Sequence, residues 1–294
     1  MTLRHLKIFV TVCDTMNMTE AAEALFISQS AVSQAIGELE KHYELRLFER
    51  LSRKLYRTKA GERLLGYARH MIRMSGEMER DMKSLTETGL IRLGASVTIG
   101  AALLPELISA ARRQWPSLEI QVFEDNTREI QARLLGDKAD LALVEGELTA
   151  PEIQSLPFLE DELLLILSPS HPFAALTGVP PQALAEEKLI VREEGSGTRQ
   201  TFEEGMSSLG IPWEAAWTCN NADTIKAAVK AGLGVSVISR RAVAREEAAG
   251  ELAVRRVEGI RFTRTFKIAY HRNKYLTPPM KGFMELCLTY GERL

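Results

Sequence analysis

Two short stretches of this 294-residue chain place hydroxyls where a small anion could be held. Ser96 and Thr98 follow an apolar strand candidate, 90–94, and open a helix. Backbone N–H groups at a helix start lack intrahelical partners and point at whatever sits there. The run Glu194-Gly195-Ser196-Gly197-Thr198-Arg199 repeats the device with additions. Its glycines permit close approach, its hydroxyls donate, and Arg199 adds a fixed positive charge. Two plainer roles stand beside this one: Ser96 and Thr98 as ordinary helix caps, and Arg199 as a surface ion-pair partner.

The chemistry expected here is binding, not catalysis. A lone Gly-x-Gly lacks the lysine and spacing of a Walker loop and the context of a dinucleotide fingerprint. Ser196 is not flanked as a nucleophile elbow requires. The histidines, His5, His42, His70, His171 and His271, stand near no cysteine or carboxylate at ligand spacing, and no His-Glu-x-x-His occurs. His171, in Ser-Pro-Ser-His-Pro, reads as a loop residue. Cys13, Cys219 and Cys287 are odd in number and far apart, against both a disulfide framework and a metal cluster. Cys219, after Trp217 in a strand candidate, reads as buried. No catalytic residue, metal or cofactor is expected, and no close cysteine pair suggests peroxide sensing.

Composition is that of a globular chain of two or three domains: 45% hydrophobic, 26% charged, net charge −2. No apolar run reaches the roughly 18 residues of a membrane span. MTLRHLKIFVTVCDT mixes charge into apolar residues at helical spacing, where a signal peptide would be continuously apolar. A reducing, cytoplasmic setting is the expectation. Charge is uneven, however. Residues 41–63 carry Lys41, Arg46, Arg50, Arg53, Lys54, Arg57, Lys59 and Arg63 against only Glu44, Glu49 and Glu62.

The elements around that basic run give it a purpose. Leu6, Phe9, Val10 and Cys13 recur at the spacing of an amphipathic helix. Thr19 reads as the N-cap of a second helix ending near Leu25. Ser28 caps a third, with Val32, Ile36 and Leu39 on its apolar face and Gln29, Ser30, Ser33 and Gln34 on the other. Those polar side chains are short enough to meet base edges and both donate and accept. Segments 45–48 and 54–58 read as a small β-wing carrying Arg50, Arg53, Lys54 and Arg57 to phosphates. Together these make a winged helix-turn-helix.

No proline interrupts 58–85, and Leu64, Met71, Met78 and Leu85 recur every seven residues, with Ala68, Ser75 and Met82 between. A seam of that kind predicts a long helix that pairs with a second copy of itself; the alternative is a helix packed on its own domain. Beyond residue 90, strand candidates at 90–94, 118–124, 141–144, 163–167, 189–191, 235–238 and 266–270 alternate with helical stretches. These lie at 101–114, 128–135, 199–209, 223–231 and 279–290, so the expectation is an α/β half with mostly parallel sheets.

The N-terminal pattern of Ala21-Ala22, Leu25, Ser28-Gln29-Ser30-Ala31-Val32-Ser33, Ile36, Leu39-Glu40, Leu47-Phe48-Glu49-Arg50 and Thr58-Lys59-Ala60-Gly61 resembles a LysR-type transcriptional regulator. More loosely, Arg92-Leu93-Gly94-Ala95-Ser96, Asp140 through Gly146, Glu194 through Arg199 and Ala231 through Val235 carry the likeness through the chain. Glu44 departs from it, standing where the family usually has glycine, which predicts a differently shaped turn before the wing. The resemblance implies a DNA-binding domain at 1–58, a linker and dimerisation helix at 59–89 and an effector domain at 90–294. That domain would resemble type 2 periplasmic binding proteins, with lobe I at 90–161 and 265–294, lobe II at 162–264, and crossings near Asp161 and Arg264. The two hydroxyl loops would then face each other across the cleft, with Glu145 and Gly146 on its rim. The resemblance also implies a second copy or three further copies of the chain. The hydroxyl loops with Arg199 point to a small anionic effector, two copies of the winged domain to a palindromic DNA operator, and RNA polymerase is a further expected partner if the protein activates.

Overall fold

In a computed structural model, described for residues 1–51, 54–83 and 89–292, the chain separates into two compact units. The first comprises Met1–Thr88 with two short later segments, Leu135–Lys138 and Asn273–Tyr275. It opens with α1 (Leu3–Thr15), α2 (Met18–Ala24) and α3 (Gln29–Tyr43), followed by β1 (Phe48–Leu51), β2 (Lys54–Arg57) and the long α4 (Lys59–Lys83). The apolar faces meet in one core of Leu6, Phe9, Val12, Ala21, Val32, Ile36, Leu39 and Leu47, closed from α4 by Leu65 and Ala68. The N-cap of α2 is Asn17 rather than Thr19: its side chain accepts from the backbone N–H groups of Thr19 and Glu20. Ser28 caps α3 as expected, accepting from the Ala31 N–H at 3.2 Å.

The wing is pinned by residues already conspicuous in the sequence. Glu40 accepts from the Leu47 and Phe48 N–H groups at 2.8 and 3.3 Å. The Thr58 hydroxyl donates to the Arg46 carbonyl, and a Cβ on Gly61 would lie 2.3 Å from the Leu47 carbonyl oxygen. The first wing strand is 48–51, not 45–48, because Glu40 captures the backbone up to Phe48. Glu44 takes the left-handed conformation (φ 56°, ψ 31°) that glycine would favour, so the turn keeps that shape.

In α4 the residues of the expected seam divide between two stripes. Ala68 is wholly buried and Leu64 packs against the same core, while Tyr67, Met71, Met74 and Met78 remain exposed. Met71 and Met78 keep their seven-residue spacing, but their interleaving partners are Tyr67 and Met74, not Ala68 and Ser75. The domain core takes one stripe of the helix, which leaves the neighbouring stripe for any partner. Leu85 lies outside the described residues.

The second unit holds Gly89–Leu134, Ala139–Arg272 and Leu276–Leu294. It begins with β3 (Leu90–Ser96), α5 (Val97–Ala102), α6 (Leu104–Gln114), β4 (Glu119–Asp125), α7 (Thr127–Leu135) and β5 (Leu141–Glu145). A 15-residue β6 (Ile153–Leu167), β7 (Gly178–Val179), α8 (Pro181–Ala185), β8 (Leu189–Arg192), α9 (Gly197–Ser208), β9 (Ala215–Cys219) and α10 (Ala222–Lys230) follow. The chain ends with β10 (Ser236–Ser239), α11 (Arg240–Ala248), β11 (Ala253–Val257), β12 (Phe262–His271) and α12 (Pro278–Glu292).

The strands β4, β3, β5, β12, β6, β11 and β7 form one sheet in that order, with β10 also on β6, while β8 and β9 pair separately. The sheet is mixed, not mostly parallel. β3 is parallel to β4 and β5, whereas β12 is antiparallel to β5 and β6. The reason is that β6 and β12 run side by side through both halves of the sheet, one out and one back. One core, with Leu93, Leu143, Phe158, Leu159, Phe266 and Ile268, lies around one half; another, with Leu163, Leu165, Val257 and Phe262, lies around the other. Between them, Asp161 on β6 stands opposite Arg264 on β12.

Candidate functional site

Where the two cores give way to each other, buried polar groups replace apolar ones. Glu145, at the end of β5, is only 1% exposed. The Ser96 hydroxyl donates to its Oε2 at 2.8 Å, and the Thr98 and Thr198 hydroxyls donate to its Oε1 at 2.9 and 3.4 Å. The hydroxyls expected to hold an anion therefore converge, and the anion they hold is the protein's own carboxylate. The Arg264 side chain, 3% exposed, lies 3.4 Å from Glu145 and donates to Thr198 Oγ1 at 2.9 Å and to Thr98 Oγ1 at 3.5 Å. Each threonine thus accepts from the guanidinium and donates to the carboxylate, a fully used hydroxyl. Arg264 Nε donates to Asp161 at 2.9 Å, and the Ser239 hydroxyl completes that carboxylate at 2.8 Å. Burial pushes the Asp161 carboxyl up, and the neighbouring Arg264 offsets this only in part.

Local sequence explains how these groups arrive. Ser96 is at the N-cap position of α5, but its side chain makes no cap bond and turns to Glu145 instead. Ser196 does serve as a cap, accepting from the Thr198 N–H at 3.2 Å. Gly197 presses on the backbone of Glu145: a Cβ there would sit 2.3 Å from the Glu145 carbonyl oxygen. Gly146, at φ +87°, would set a Cβ 2.9 Å from Gly197 Cα. These glycines permit the β5 and α9 segments to touch, rather than contacting a ligand. Arg199 points elsewhere, pairing with Glu203 at 2.7 Å and lying over the Trp213 ring. Glu145 does not sit on a rim and does not pair with Arg199; it turns inward to Arg264.

Sequence reading missed Arg264 and Asp161 as site residues, although a signal was present. Phe262, Arg264 and Phe266 alternate with more exposed residues along β12, as do Leu159, Asp161 and Leu163 along β6. Period-two alternation puts both charges on the inward face. Arg192, also buried, pairs with Glu193. Burial pushes the thiols of Cys13 and Cys287 up to about 12 and raises that of Cys219, so none is a ready thiolate. Among the described residues no cluster could hold a metal ion, and no helix is long and apolar enough to cross a membrane.

In the first unit, the outer face of α3 presents Gln29, Ser30 and Gln34 exposed and Ser33 half-buried. Gln29 Nε2 donates to Ser33 Oγ and Gln34 Nε2 to Glu38, two pairs one helical turn apart. Arg50, Lys54 and Arg57 are exposed on the wing, with Arg50 opposite Leu55 and Arg57 opposite Phe48; Arg53 lies outside the described residues.

Two family descriptions match: "Bacterial regulatory helix-turn-helix protein, lysR family" over residues 3–62 and "LysR substrate binding domain" over residues 85–292. The uncharacterised HTH-type transcriptional regulator YeiE of Escherichia coli is 34% identical over 286 residues, covering 97% of each chain. A full-length OxyR variant from Pseudomonas aeruginosa has the same fold, with a TM-score of 0.71 at 24% identity over 98% of this chain and 94% of its own. The regulatory domain of Synechocystis CcmR, solved in complex with 2-PG, matches at a TM-score of 0.66 and 25% identity, over 70% of this chain and 99% of its own. With a helix-turn-helix at one end, an effector-binding domain at the other and homologues that are regulators rather than enzymes, this chain belongs to the LysR family of DNA-binding transcriptional regulators.

Proposed function

We propose that this regulator is switched by a small anion bound at the hydroxyl cluster between the halves of its effector-binding domain. One observation carries the reading: Ser96, Thr98 and Thr198, from two separate loops, and the buried Arg264 already enclose a carboxylate. A site satisfied by a carboxylate is satisfied by another oxyanion of similar size. The entering anion competes with Glu145, because Arg264 already serves two buried carboxylates, Glu145 and Asp161, and both disfavour a third negative charge beside them. CcmR, whose regulatory domain has been solved with 2-PG, supports a small ligand in this fold. Gly146 and Gly197 let β5 and α9 close together at this site, Ser196 caps α9, and Arg199 is left outside it.

The partition into 1–58, 59–89 and 90–294, with lobes meeting near Asp161 and Arg264, belongs to the same proposal. Two copies pair along α4 through Tyr67, Met71, Met74 and Met78, as a dimer or within a tetramer. Gln29, Ser30, Ser33 and Gln34 then enter successive major grooves of a palindromic operator, while Arg50, Arg53, Lys54 and Arg57 hold phosphates. The effector acts by preferring one packing of the oligomer by about 1–3 kcal/mol, which resets the spacing of the DNA-reading pairs. Such a protein works in the cytoplasm, and as an activator it would also meet RNA polymerase.

The test is a thermal-shift screen of the full chain against sulfate, sulfite, nitrate, phosphate and short carboxylates. One of them gives a saturable rise in Tm that Thr198→Ala abolishes while DNA affinity without effector is kept. If every anion gives only the same general salt effect, the anion reading is wrong and neutral ligands that donate to Glu145 take its place.

A further inference from the structure

Phe26 presents a feature that neither folding nor the expected polar readout uses. It lies between α2 and α3 and is 97% exposed, the most exposed of the large apolar side chains among the described residues. Its backbone is left-handed, φ +55°, a conformation unfavourable for a bulky side chain and easy for glycine. The chain around it is held firmly. The Phe26 N–H donates to the Glu23 carbonyl at 3.1 Å, and the Ile27 N–H to the Ala22 carbonyl at 3.0 Å. Leu25 and Ile27 on either side pack against the domain core. The ring is therefore displayed by a rigid turn, two residues before the Ser28 cap that starts the recognition helix. Glycine or asparagine there would relieve the backbone and hide the apolar surface.

We infer that Phe26 is a DNA-contacting residue whose ring packs against apolar carbon at the lip of the major groove. The occupant follows from continuity: the next exposed side chains along the chain are Ser28, Gln29 and Ser30, at the helix end that enters the groove. What DNA offers an uncharged aromatic ring there is deoxyribose carbon or the thymine methyl group. The inference rests on the assignment of α3 as the recognition helix.

The probe is a duplex recovered by the full chain from a pool with a randomised centre. Phe26→Gly weakens its binding about tenfold, the scale of burying part of one apolar side chain. The dependence of log Kd on log salt keeps its slope, because no phosphate contact is lost. The thermal midpoint stays level or rises, since glycine relaxes the left-handed turn, and Phe26→Tyr retains most of the affinity. Repeating the pair with uracil in place of thymine separates the sources. If the effect vanishes the ring meets the methyl; if it persists the ring meets the sugar. Equal affinity of Phe26→Gly and the unsubstituted chain overturns the inference, as does a fall in its thermal midpoint that accounts for the lost binding. If the unsubstituted chain enriches no sequence, the recognition-helix reading itself is at fault.

Discussion

At the scale of single residues, the decisive group is Arg264. It is the cation for two buried carboxylates, Glu145 at 3.4 Å and Asp161 at 2.9 Å, and it also donates to both threonines. Removing one partner of a buried ion pair leaves charge without compensation, at a cost of about 3–5 kcal/mol. Arg264→Met is therefore expected to lower the urea midpoint strongly. Adding Glu145→Gln and Asp161→Asn should recover most of the loss, because the buried charges are then gone. If the triple variant is no more stable than Arg264→Met, the network is not what holds that region. Ser96, Thr98 and Thr198 were legible in the sequence because each stands at the start of a helix after a strand, whereas Ser239, placed likewise at the junction of β10 and α11, was not singled out. Glu145 was legible as a neighbour but with the wrong orientation, since nothing in the run Asp140 through Gly146 tells which charge it meets.

At the scale of elements, the informative cases are turns and helix faces. Glu44 ends α3 in a left-handed conformation that costs a non-glycine residue roughly 1–2 kcal/mol, against roughly 0.5–1 kcal/mol for the extra freedom glycine loses. Glu44→Gly should thus stabilise the chain slightly, a rise of a few degrees in thermal midpoint at most, with DNA affinity unchanged. A lower midpoint would mean that the Glu44 side chain makes a compensating interaction. The same scale shows why the expected seam residues of α4 divide between two stripes. A seven-residue repeat is satisfied by either of two adjacent stripes, and only the position of Leu47 and the other core residues decides that Leu65 and Ala68 turn inward. The N-cap at Asn17, two residues ahead of the expected Thr19, reflects the same limit: several residues there could cap, and Asn17 is the one whose side chain accepts from the Thr19 and Glu20 N–H groups.

At the scale of the whole molecule, the compact unit built on α4 is closed by a long-range charge cluster. Asp137, buried and at φ +53°, meets Arg73 at 2.8 Å, Lys274 at 3.1 Å and His70 at 3.3 Å. Burial works to raise its carboxyl, but the hydrogen bond from His70 and the charge of Arg73 outweigh it and leave the group below the usual range. A carboxyl depressed in the folded state contributes stability above its unfolded pKa and loses it as pH falls through the folded value. Urea unfolding should therefore weaken below about pH 4 more steeply in the unsubstituted chain than in Asp137→Asn, whose side chain tolerates the left-handed backbone. Parallel curves would place the acid sensitivity elsewhere.

The sequence by itself determined the winged helix-turn-helix, the long α4, the alternation of strands and helices beyond residue 90 and the cluster of hydroxyls that forms the candidate site. These rest on periodicity and capping, which act within a few residues along the chain and so are written locally. The tertiary structure alone decided that β6 and β12 run side by side as antiparallel neighbours through both halves of the sheet, and that Arg264, 103 residues from Asp161, is its partner. It decided too that Glu145 fills the hydroxyl cluster expected to hold an anion, and that Arg199 turns away to Glu203 and Trp213. The physical reason is common to all of them. A buried charge takes whichever opposite charge the fold brings within reach, and strand pairing across a hundred residues leaves no trace in the spacing of either strand.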